Sequence, residues 1–286
     1  MISRLLLVSI GNTRTRLALA QGDRLEPSQV FPNSDLSAIA VSACSLLHVG
    51  AQDTDPPTAI FASVNPPAAE ALEAELTAKG VQVLKFGKDL VIPVVNSLTD
   101  DSTLGPDRLL DALGAFSRSS QACIVVDAGT AVTVDFIDGE GTFHGGAISP
   151  GLSMMLRALK EQTAALPLVS LTPDIVPHAD ADIAADKPPF GKDTRHAIAV
   201  GVISSIRGMV HTLIDRYAAY YKAYPRVVAT GGDAPLLFEG DPLVEAIVPD
   251  LPLIGMLAAV RKLEEIDAHD GDSDPDPADG RAAAHG

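Results

Sequence analysis

The alternation of hydrophobic and polar positions is clearest in residues 124–136, where two apolar segments flank a short polar one. Residues 124–126 form a β-branched run, Asp127, Gly129 and Thr130 interrupt it, and apolar and polar positions then alternate with a period of two. This pattern predicts a β-hairpin. Because Gly129 lets backbone N–H groups approach an anion, the turn is a candidate phosphate loop. Taken alone, the segment is more typical of an ordinary hairpin with an Asx turn.

A second copy of the pattern favours the phosphate-loop interpretation. Residues 5–19 also contain an apolar strand, a polar turn and a second apolar segment, at a constant offset from the first. The aligned pairs are Val8 with Val126, Ser9 with Asp127, Gly11 with Gly129, Asn12 with Thr130, and Thr15 with Thr133. Two such units at the start of two comparable halves predict a duplicated domain with a cleft between the copies. One difference matters for the chemistry: the first copy has Ser9 where the second has Asp127.

Helical and strand periodicities fill the rest of both halves and predict an α/β fold. The predicted helices cover residues 34–47, 67–79, 108–117, 152–161, 196–221 and 253–266, and the further predicted strands cover 58–64, 81–86, 91–95 and 226–229. Ser34 or Asp35 is positioned to cap the first helix. The glycine- and proline-rich segment 145–151 is expected to form a turn that leads into the next helix.

Chain length and charge predict the domain organisation. The 286 residues suffice for two domains of about 100–150 residues each. We expect an N-terminal domain over residues 1–117 and a C-terminal domain over residues 118–266. The remaining segment, 267–286, is rich in aspartate and is predicted to be a disordered acidic tail. The formal net charge of −16 argues against nucleic acid or an anionic membrane as the main partner.

Cysteine usage and hydropathy indicate a cytoplasmic protein. Cys44 and Cys123 form no recognisable disulfide or metal-binding pattern, which is typical of a reducing compartment. The apolar run 5–8 is too short for the hydrophobic region of a signal peptide. No stretch reaches the roughly 18 consecutive apolar residues of a membrane span. We therefore expect a soluble protein.

Three further segments carry polar residues that are candidates for binding or catalysis. Asp107 and Arg108 lie in a loop at a predicted helix start, where they can act as a base and an anion clamp, with a helix cap and a surface charge as the alternatives. Thr194 precedes the long helix and can be a simple N-cap. A strand ending at residue 229 leads into residues 230–232, whose backbone N–H groups can face a charged ligand.

The order of these motifs resembles that of type III pantothenate kinases. Four segments carry the resemblance: Gly-Asn-Thr at 11–13, Gly-Pro-Asp-Arg at 105–108, Asp-Ala-Gly-Thr-Ala-Val-Thr at 127–133 and Thr-Gly-Gly-Asp at 230–233. Segments 145–151, 163–167 and 191–194 are also similar, so the resemblance extends over about residues 5–262. It implies two ribonuclease-H-like halves of the actin and acetate and sugar kinase type, with a central cleft. It also implies ATP-dependent phosphorylation of pantothenate to 4′-phosphopantothenate, the first step of coenzyme A biosynthesis.

The resemblance implies roles for individual residues. Asp107 matches the general base that accepts a proton from the pantothenate hydroxyl, and Asp127 matches the ligand of a monovalent cation, potassium or ammonium, at a homodimer interface. Mg²⁺ or another divalent ion is expected to accompany ATP. The residues that match substrate contacts are Gly105, Pro106, Asp107, Arg108 and Thr194. Those that match ATP contacts are Ser9, Gly11, Asn12, Thr13, Arg14, Gly129, Thr130, Thr230, Gly231 and Gly232.

Two positions depart from the family pattern. The family has an aspartate at the position of Ser9, where it helps to hold Mg²⁺, so Ser9 is expected to weaken metal binding and slow phosphoryl transfer. The family also has a tyrosine ahead of the Gly-x-Asp-Arg loop, whereas residues 94–98 contain none. These departures leave two alternatives: a weakly active or non-catalytic relative of the Bvg accessory factor type, and a kinase for another small hydroxylated substrate. Pantothenate kinase is favoured because the Asp107 loop matches.

Overall fold

The computed structural model describes residues 4–49, 56–171 and 189–271. Its first elements are β1 (Arg4–Ile10), β2 (Arg14–Gln21), β3 (Arg24–Leu25), β4 (Gln29–Pro32), α1 (Leu36–Leu47), β5 (Thr58–Ser63), α2 (Pro66–Thr77) and β6 (Gln82–Lys85). The chain continues with β7 (Val95–Asn96), α3 (Pro106–Ser119), β8 (Cys123–Ala128), β9 (Ala131–Ile137), β10 (Thr142–Pro150), α4 (Leu152–Glu161), α5 (Thr194–Tyr221), β11 (Arg226–Thr230), α6 (Ala234–Phe238), β12 (Ala246–Ile247) and α7 (Leu251–Gly271).

Two sheets share one strand arrangement, in which an antiparallel hairpin is extended by parallel strands. In the first sheet the order is β3-β2-β1-β5-β6, with β4 also paired to β2, and β1, β5 and β6 run parallel. In the second the order is β12-β11-β8-β9-β10-β7, and β8, β11 and β12 run parallel. This repeated arrangement confirms the predicted α/β fold of two ribonuclease-H-like halves.

Each hairpin serves two cores, because successive residues of a strand point to opposite faces. In β1, Leu6 and Val8 pack with α1 and α2, whereas Leu5 and Leu7 pack with α3 and α7. In β8, the even-numbered residues pack with α4 and α5, and the odd-numbered ones share a core with α3 and the start of α7. Helices α3 and α7 therefore lie between the sheets, and we call the sheet faces that contact them the inner faces.

The two central helices cross with their backbones in contact. A Cβ atom on Gly114 would lie 2.6 Å from the Leu251 carbonyl oxygen, and one on Gly255 would collide with the carbonyl oxygen of Leu110. Because only glycine lacks this atom, both positions permit an approach that a larger residue would prevent. The crossing fixes α3 relative to α7 and so positions the N-terminal end of α3.

Helix α5 is the one helix of the described residues that is long and apolar enough to cross a membrane, judged by length and composition alone. Its inward positions, including Val202, Ile206 and Val210, are buried in the core of the second half. This packing is sufficient to explain the apolar composition, since a core helix also requires it.

The segment 145–151 is a strand rather than the predicted turn. Residues as far as Pro150 belong to β10, which pairs with β9 along most of its length. Gly145 has a φ of +87° and lies at an irregularity in this pairing, so the glycine forms a bulge instead of ending the strand. A Cβ atom on Gly146 would collide with the Val134 carbonyl oxygen. Close backbone pairing thus explains these glycines.

Other boundaries also differ from the predictions. Of the predicted strand 91–95, only Val95 lies in a strand, β7. Helix α3 begins at Pro106 rather than residue 108. The last helix continues to Gly271, so the first five residues of the predicted tail are helical, and residues 272–286 lie outside the described part of the chain.

The predicted boundary between residues 117 and 118 does not separate the two packed halves. Strand β7 lies before it in sequence but pairs with β10 of the second sheet. Helix α7 lies after it, yet Leu253, Met256 and Leu257 pack on the inner face of the first sheet. Each half therefore takes one element from the other side of the boundary.

Candidate active site

The turns of the two hairpins have different lengths. Ile10 pairs with Thr15 across the first turn, whereas Ala128 pairs with Val132 across the second. The first turn is therefore one residue longer, and the constant offset used to align the copies ends there. Thr15 corresponds in structure to Val132 and not to Thr133, which corrects that alignment.

Polar contacts hold the first turn in place. The Gly11 N–H donates to the Arg14 carbonyl oxygen at 2.9 Å. Asn33 donates from its side chain to the Gly11 carbonyl oxygen at 2.8 Å, and Asn65 donates to the Asn12 carbonyl oxygen at 3.1 Å. The predicted loop residues are thus anchored through their carbonyl groups from β4 and α2, which is compatible with presenting N–H groups to a ligand.

The segment Thr230–Gly232 lies against both hairpins. Gly231 has a φ of +92°, and a Cβ atom there would collide with the Asp127 carboxylate and the Ala128 carbonyl oxygen. A Cβ atom on Gly232 would lie 3.2 Å from Nη1 of Arg14. The structure therefore brings together parts of all three segments that were predicted to contact ATP.

Asp107 occupies the first turn of α3. Gly105, and not Asp107, is the N-cap residue, and the Asp107 carboxylate accepts a hydrogen bond from the Arg108 N–H at 2.9 Å. A Cβ atom on Gly105 would collide with this carboxylate, so glycine allows it to fold back over the helix start. Burial raises the pKa of Asp107, and the Arg108 N–H and guanidinium only partly oppose the increase. Such a carboxyl group accepts a proton more readily than an exposed one.

Arg108 is held by a carboxylate that the sequence did not single out. Its Nε donates to both oxygens of Asp135, at 3.1 and 3.0 Å, and its Nη2 forms a further short contact to Asp135 Oδ1. The guanidinium also lies 5.6 Å from the centre of the Phe143 ring. Asp135 is only 2% exposed. The pair fixes the orientation of Arg108, so Arg108 is not the surface charge that was one alternative.

Four carboxyl groups lie near one another on α3 and the second hairpin. Burial and the neighbouring carboxylates, Asp107 first, raise the pKa of Asp127 to about 7, and Arg16 opposes the increase. Asp111 is one helical turn after Asp107 and 4% exposed, and burial followed by Asp127 raises its pKa well above the usual value. No residue in the described part of the chain hydrogen-bonds to its Oδ1. The spacing of Asp107 and Asp111 was the available signal for this second residue.

The two hairpins differ in their suitability for cations. Asp127 lies among like-charged carboxyl groups, so a cation bound there would offset local negative charge. The first hairpin has neutral Ser9, directly paired across the strands with Arg16. This surrounding does not fit a divalent ion held by the protein at Ser9, because a guanidinium repels it. Within the described ranges, no group of three or more His, Cys, Asp or Glu side chains is arranged to hold a metal ion.

Thr194 does not share a cavity with the Asp107 loop. It is the first residue of α5, and Asp193 rather than Thr194 caps the helix by accepting from the His196 N–H at 2.9 Å. Thr194 lines an apolar groove between α4 and α5 together with Met155. Pro106 instead lines a cavity of about 700 Å³ beside β5 and β6. One chain alone thus leaves these two predicted substrate contacts in different cavities.

The protein has two duplicated halves, a glycine-containing turn in each, and a carboxylate at the start of a helix between them. This combination is typical of phosphotransferases. Residues 5–216 match the family model described as type III pantothenate kinase. The chain therefore belongs to the type III pantothenate kinase family.

Individual relatives agree with this assignment. The type III pantothenate kinase of Geobacillus thermodenitrificans is 30% identical over 91% of this chain and 98% of its own length. That of Dehalococcoides mccartyi is 30% identical over 88% of this chain and 94% of its own. A Campylobacter jejuni structure described as a Baf family transcriptional activator superposes with a TM-score of 0.52, at 19% identity over 91% of this chain and 99% of its own. This last likeness concerns the fold alone.

Proposed function

We propose that this protein transfers a phosphoryl group from ATP to pantothenate and so produces 4′-phosphopantothenate, the first step of coenzyme A biosynthesis. Family membership over most of the chain supports this kinase activity. The observation that carries the proposal is the placement of Asp107, a partly buried carboxyl group at the start of α3 that lies close enough to Asp127 to raise its pKa. The relatives give no support to the regulatory alternative.

The residues divide the chemistry between them. Asp107 accepts the proton of the substrate hydroxyl, and its raised pKa makes it the better base. Arg108, oriented by Asp135, holds the anionic substrate beside it. The turns at Gly11 and Gly129 and the segment 230–232 bind the ATP phosphates. A divalent ion that arrives with ATP would supply charge neutralisation, and a monovalent cation, potassium or ammonium, at Asp127 would offset the local negative charge.

The active form in this proposal is a cytoplasmic homodimer. The exposed apolar groove between α4 and α5, with Met155 in its lining, supports a second copy as partner. Thr194 lies in this groove and not in the cavity of Pro106, so a substrate contact by Thr194 is most readily made across such an interface. The net charge of −16 supports small-molecule substrates rather than nucleic acid or an anionic membrane.

An assay of the purified protein tests the proposal. With pantothenate, Mg²⁺-ATP and potassium, we expect 4′-phosphopantothenate to form, and we expect Asp107→Asn to reduce kcat by about 10²- to 10⁴-fold, the usual contribution of a general base. Asp267→Asn, an exposed carboxylate on α7, is the matched control and should retain the full rate. Absence of product at millimolar pantothenate would refute the kinase function.

A further inference from the structure

Residues 97–104 connect β7 of the second sheet to Gly105, the N-cap residue of α3. The segment therefore leads directly into the substrate motif at 105–108. Some of its polar groups bond only locally, as where Asp101 accepts a hydrogen bond from the Asn96 side chain at 3.1 Å. A local bond of this kind shapes the segment but does not attach it to the neighbouring strand β10.

Ser97, the first residue of the segment, is attached to β10 by two hydrogen bonds. Its N–H donates to the Phe143 carbonyl oxygen at 3.0 Å. Its hydroxyl lies 3.1 Å from Nδ1 of His144. Within the described residues, this second contact is the one side-chain hydrogen bond between residues 97–104 and β10. His144 thus fixes the point at which the segment leaves the sheet.

A bulge in β10 brings His144 to this position. The pairing of β10 with β9 passes from Phe143 directly to Gly145, so His144 is left without a partner in the ladder. A Cβ atom on Gly145 would lie 2.8 Å from a methyl carbon of Leu98. The bulge therefore contacts the segment twice, through the His144 ring at Ser97 and through the bare backbone of Gly145 at Leu98.

Asp138, in the turn between β9 and β10, holds the imidazole of His144. Its Oδ2 lies 2.6 Å from Nε2, and its Oδ1 accepts from the Glu140 and Thr142 N–H groups at 3.0 and 2.8 Å. Burial acts to raise the pKa of Asp138, but the hydrogen bonds from His144 and from the turn outweigh it and lower the pKa. Because an ionised carboxylate only accepts, Nε2 carries a proton, and in the neutral ring Nδ1 accepts from the Ser97 hydroxyl.

The segment forms a wall of the cavity at the start of α3. Asp101 and Leu104 line this cavity of about 700 Å³ together with Pro106. Asp107 does not depend on the segment for its position, because it belongs to α3, whose backbone is fixed against α7 at Gly114. Release of the segment would therefore loosen the cavity wall while the base stays in place.

We propose that His144 is a positioning residue for the acceptor substrate: through Ser97 it fixes the segment 97–104 as a wall of the substrate cavity, without touching the substrate itself. This inference rests on the proposed kinase activity toward pantothenate. When the wall is fixed in advance, substrate binding does not have to order it. The contact thus contributes to the binding of pantothenate and not to the chemical step at Asp107.

Steady-state kinetics separate these two contributions. His144→Ala should raise the KM for pantothenate about 3- to 10-fold, the effect of about one hydrogen bond, and should leave kcat and the KM for ATP within about twofold of the wild type. His269→Ala, an exposed histidine on α7, is the control and should change none of the three. An unchanged KM for pantothenate would overturn the inference. So would a fall in kcat with a rise in both KM values, since that is the result of a general structural defect.

Two conservative variants identify which nitrogen of His144 matters. Asparagine places its amide near the position of Nδ1 and can still bond to Ser97, whereas glutamine places its amide nearer Nε2 and can still bond to Asp138. His144→Asn should therefore have a KM for pantothenate closer to that of the wild type, and His144→Gln should resemble His144→Ala. The reverse order would assign the effect to the turn at Asp138 and overturn the inference.

A double-mutant cycle tests whether Ser97 transmits the effect. Ser97→Ala should raise the KM for pantothenate as much as His144→Ala does, and the double variant should show no further increase, because both changes remove the same contact. Fully additive effects would show that the two residues act separately, which contradicts the proposal.

Amide hydrogen exchange measures the fixed wall without any substrate. His144→Ala should increase exchange in residues 97–104 and leave the protection of α3 unchanged. Equal exchange in both proteins, with normal turnover by the wild type, would overturn the inference alone. If the wild type forms no 4′-phosphopantothenate, the proposed function fails, and the role of His144 in substrate binding fails with it.

Discussion

The hairpins β1–β2 and β8–β9 have the same strand pairing but opposite charges on their inner faces. The first presents Arg14 and Arg16, and the second presents Asp127 and Asp135. Their surroundings differ accordingly, since Arg16 is anchored by the partly exposed carboxylate of Asp250, whereas Asp135 is almost completely buried with its arginine. The duplicated backbone therefore does not impose a duplicated chemistry.

In the proposed reaction, this difference assigns the ATP phosphates and the substrate hydroxyl to opposite sides of one cleft. The basic side is suited to phosphates, and the acidic side is suited to a cation and to a base such as Asp107. The two sides are near each other at Asp127, where Arg16 opposes the increase in pKa. The following predictions concern the burial of the ion pair at each hairpin, the crossing of the helices α3 and α7 between the sheets, and the pH dependence that Asp127 gives to the second hairpin.

The largest effect is expected from the buried ion pair of the second hairpin. Arg108→Gln leaves Asp135 buried without its partner and should lower the free energy of unfolding by about 3–5 kcal/mol. The matched change at the first hairpin, Asp250→Asn, should lower it by about 1 kcal/mol or less, because that pair is more exposed. Urea denaturation measures both values. Equal losses would contradict the difference in burial between the hairpins.

A smaller effect is expected at the crossing of α3 and α7, the two helices that lie between the sheets. Gly255→Ala places a methyl group against the Leu110 carbonyl oxygen and should reduce the free energy of unfolding by about 1–3 kcal/mol. Gly208→Ala is the control, because that helical glycine has open space around it and should gain about 0.5–1 kcal/mol. Thermal unfolding compares them. A Gly255→Ala variant as stable as the control would exclude backbone contact at this crossing.

The smallest effect concerns pH. Asp127 has an ordinary pKa of 3.8 and a pKa of about 7 in the folded chain, so the folded state binds more protons than the unfolded state between these values. The stability contributed by this group is present below about pH 4 and is lost as the pH rises through 7. Asp127→Asn should therefore reduce the fall in Tm from pH 4 to 8 in potassium-free buffer. An identical slope in both proteins would contradict the raised pKa.

Local patterns were sufficient to predict most of the fold. Residues 124–126 and 5–8 identified both hairpins because buried β-branched and aliphatic runs with a polar turn need no information from distant residues. The repeat then predicted the duplicated arrangement of the sheets. Strand β10 was missed because Gly145 and Pro150 are typical of turns, and only pairing with β9 makes the segment extended.

Prediction of the site was limited by contacts between distant residues. Gly105 to Arg108 form a recognisable local motif, but the partner of Arg108 lies 27 positions away at Asp135. Asp250 is separated from Arg16 by 234 positions. The alternation in β9 identified Asp135 as a polar position, but it did not reveal that this face of the strand is covered by α3. Tertiary packing, and not local preference, creates these pairs.

The packing of α7 has a consequence for synthesis on the ribosome. Leu253, Met256 and Leu257 cover the inner face of the first sheet, although they are among the last residues of the fold to be translated. N-terminal domains commonly fold while the rest of the chain is still being made. Here the first half can form its outer core early, but its inner core is completed only after translation has passed residue 257, so the inner face of the first sheet stays uncovered until then.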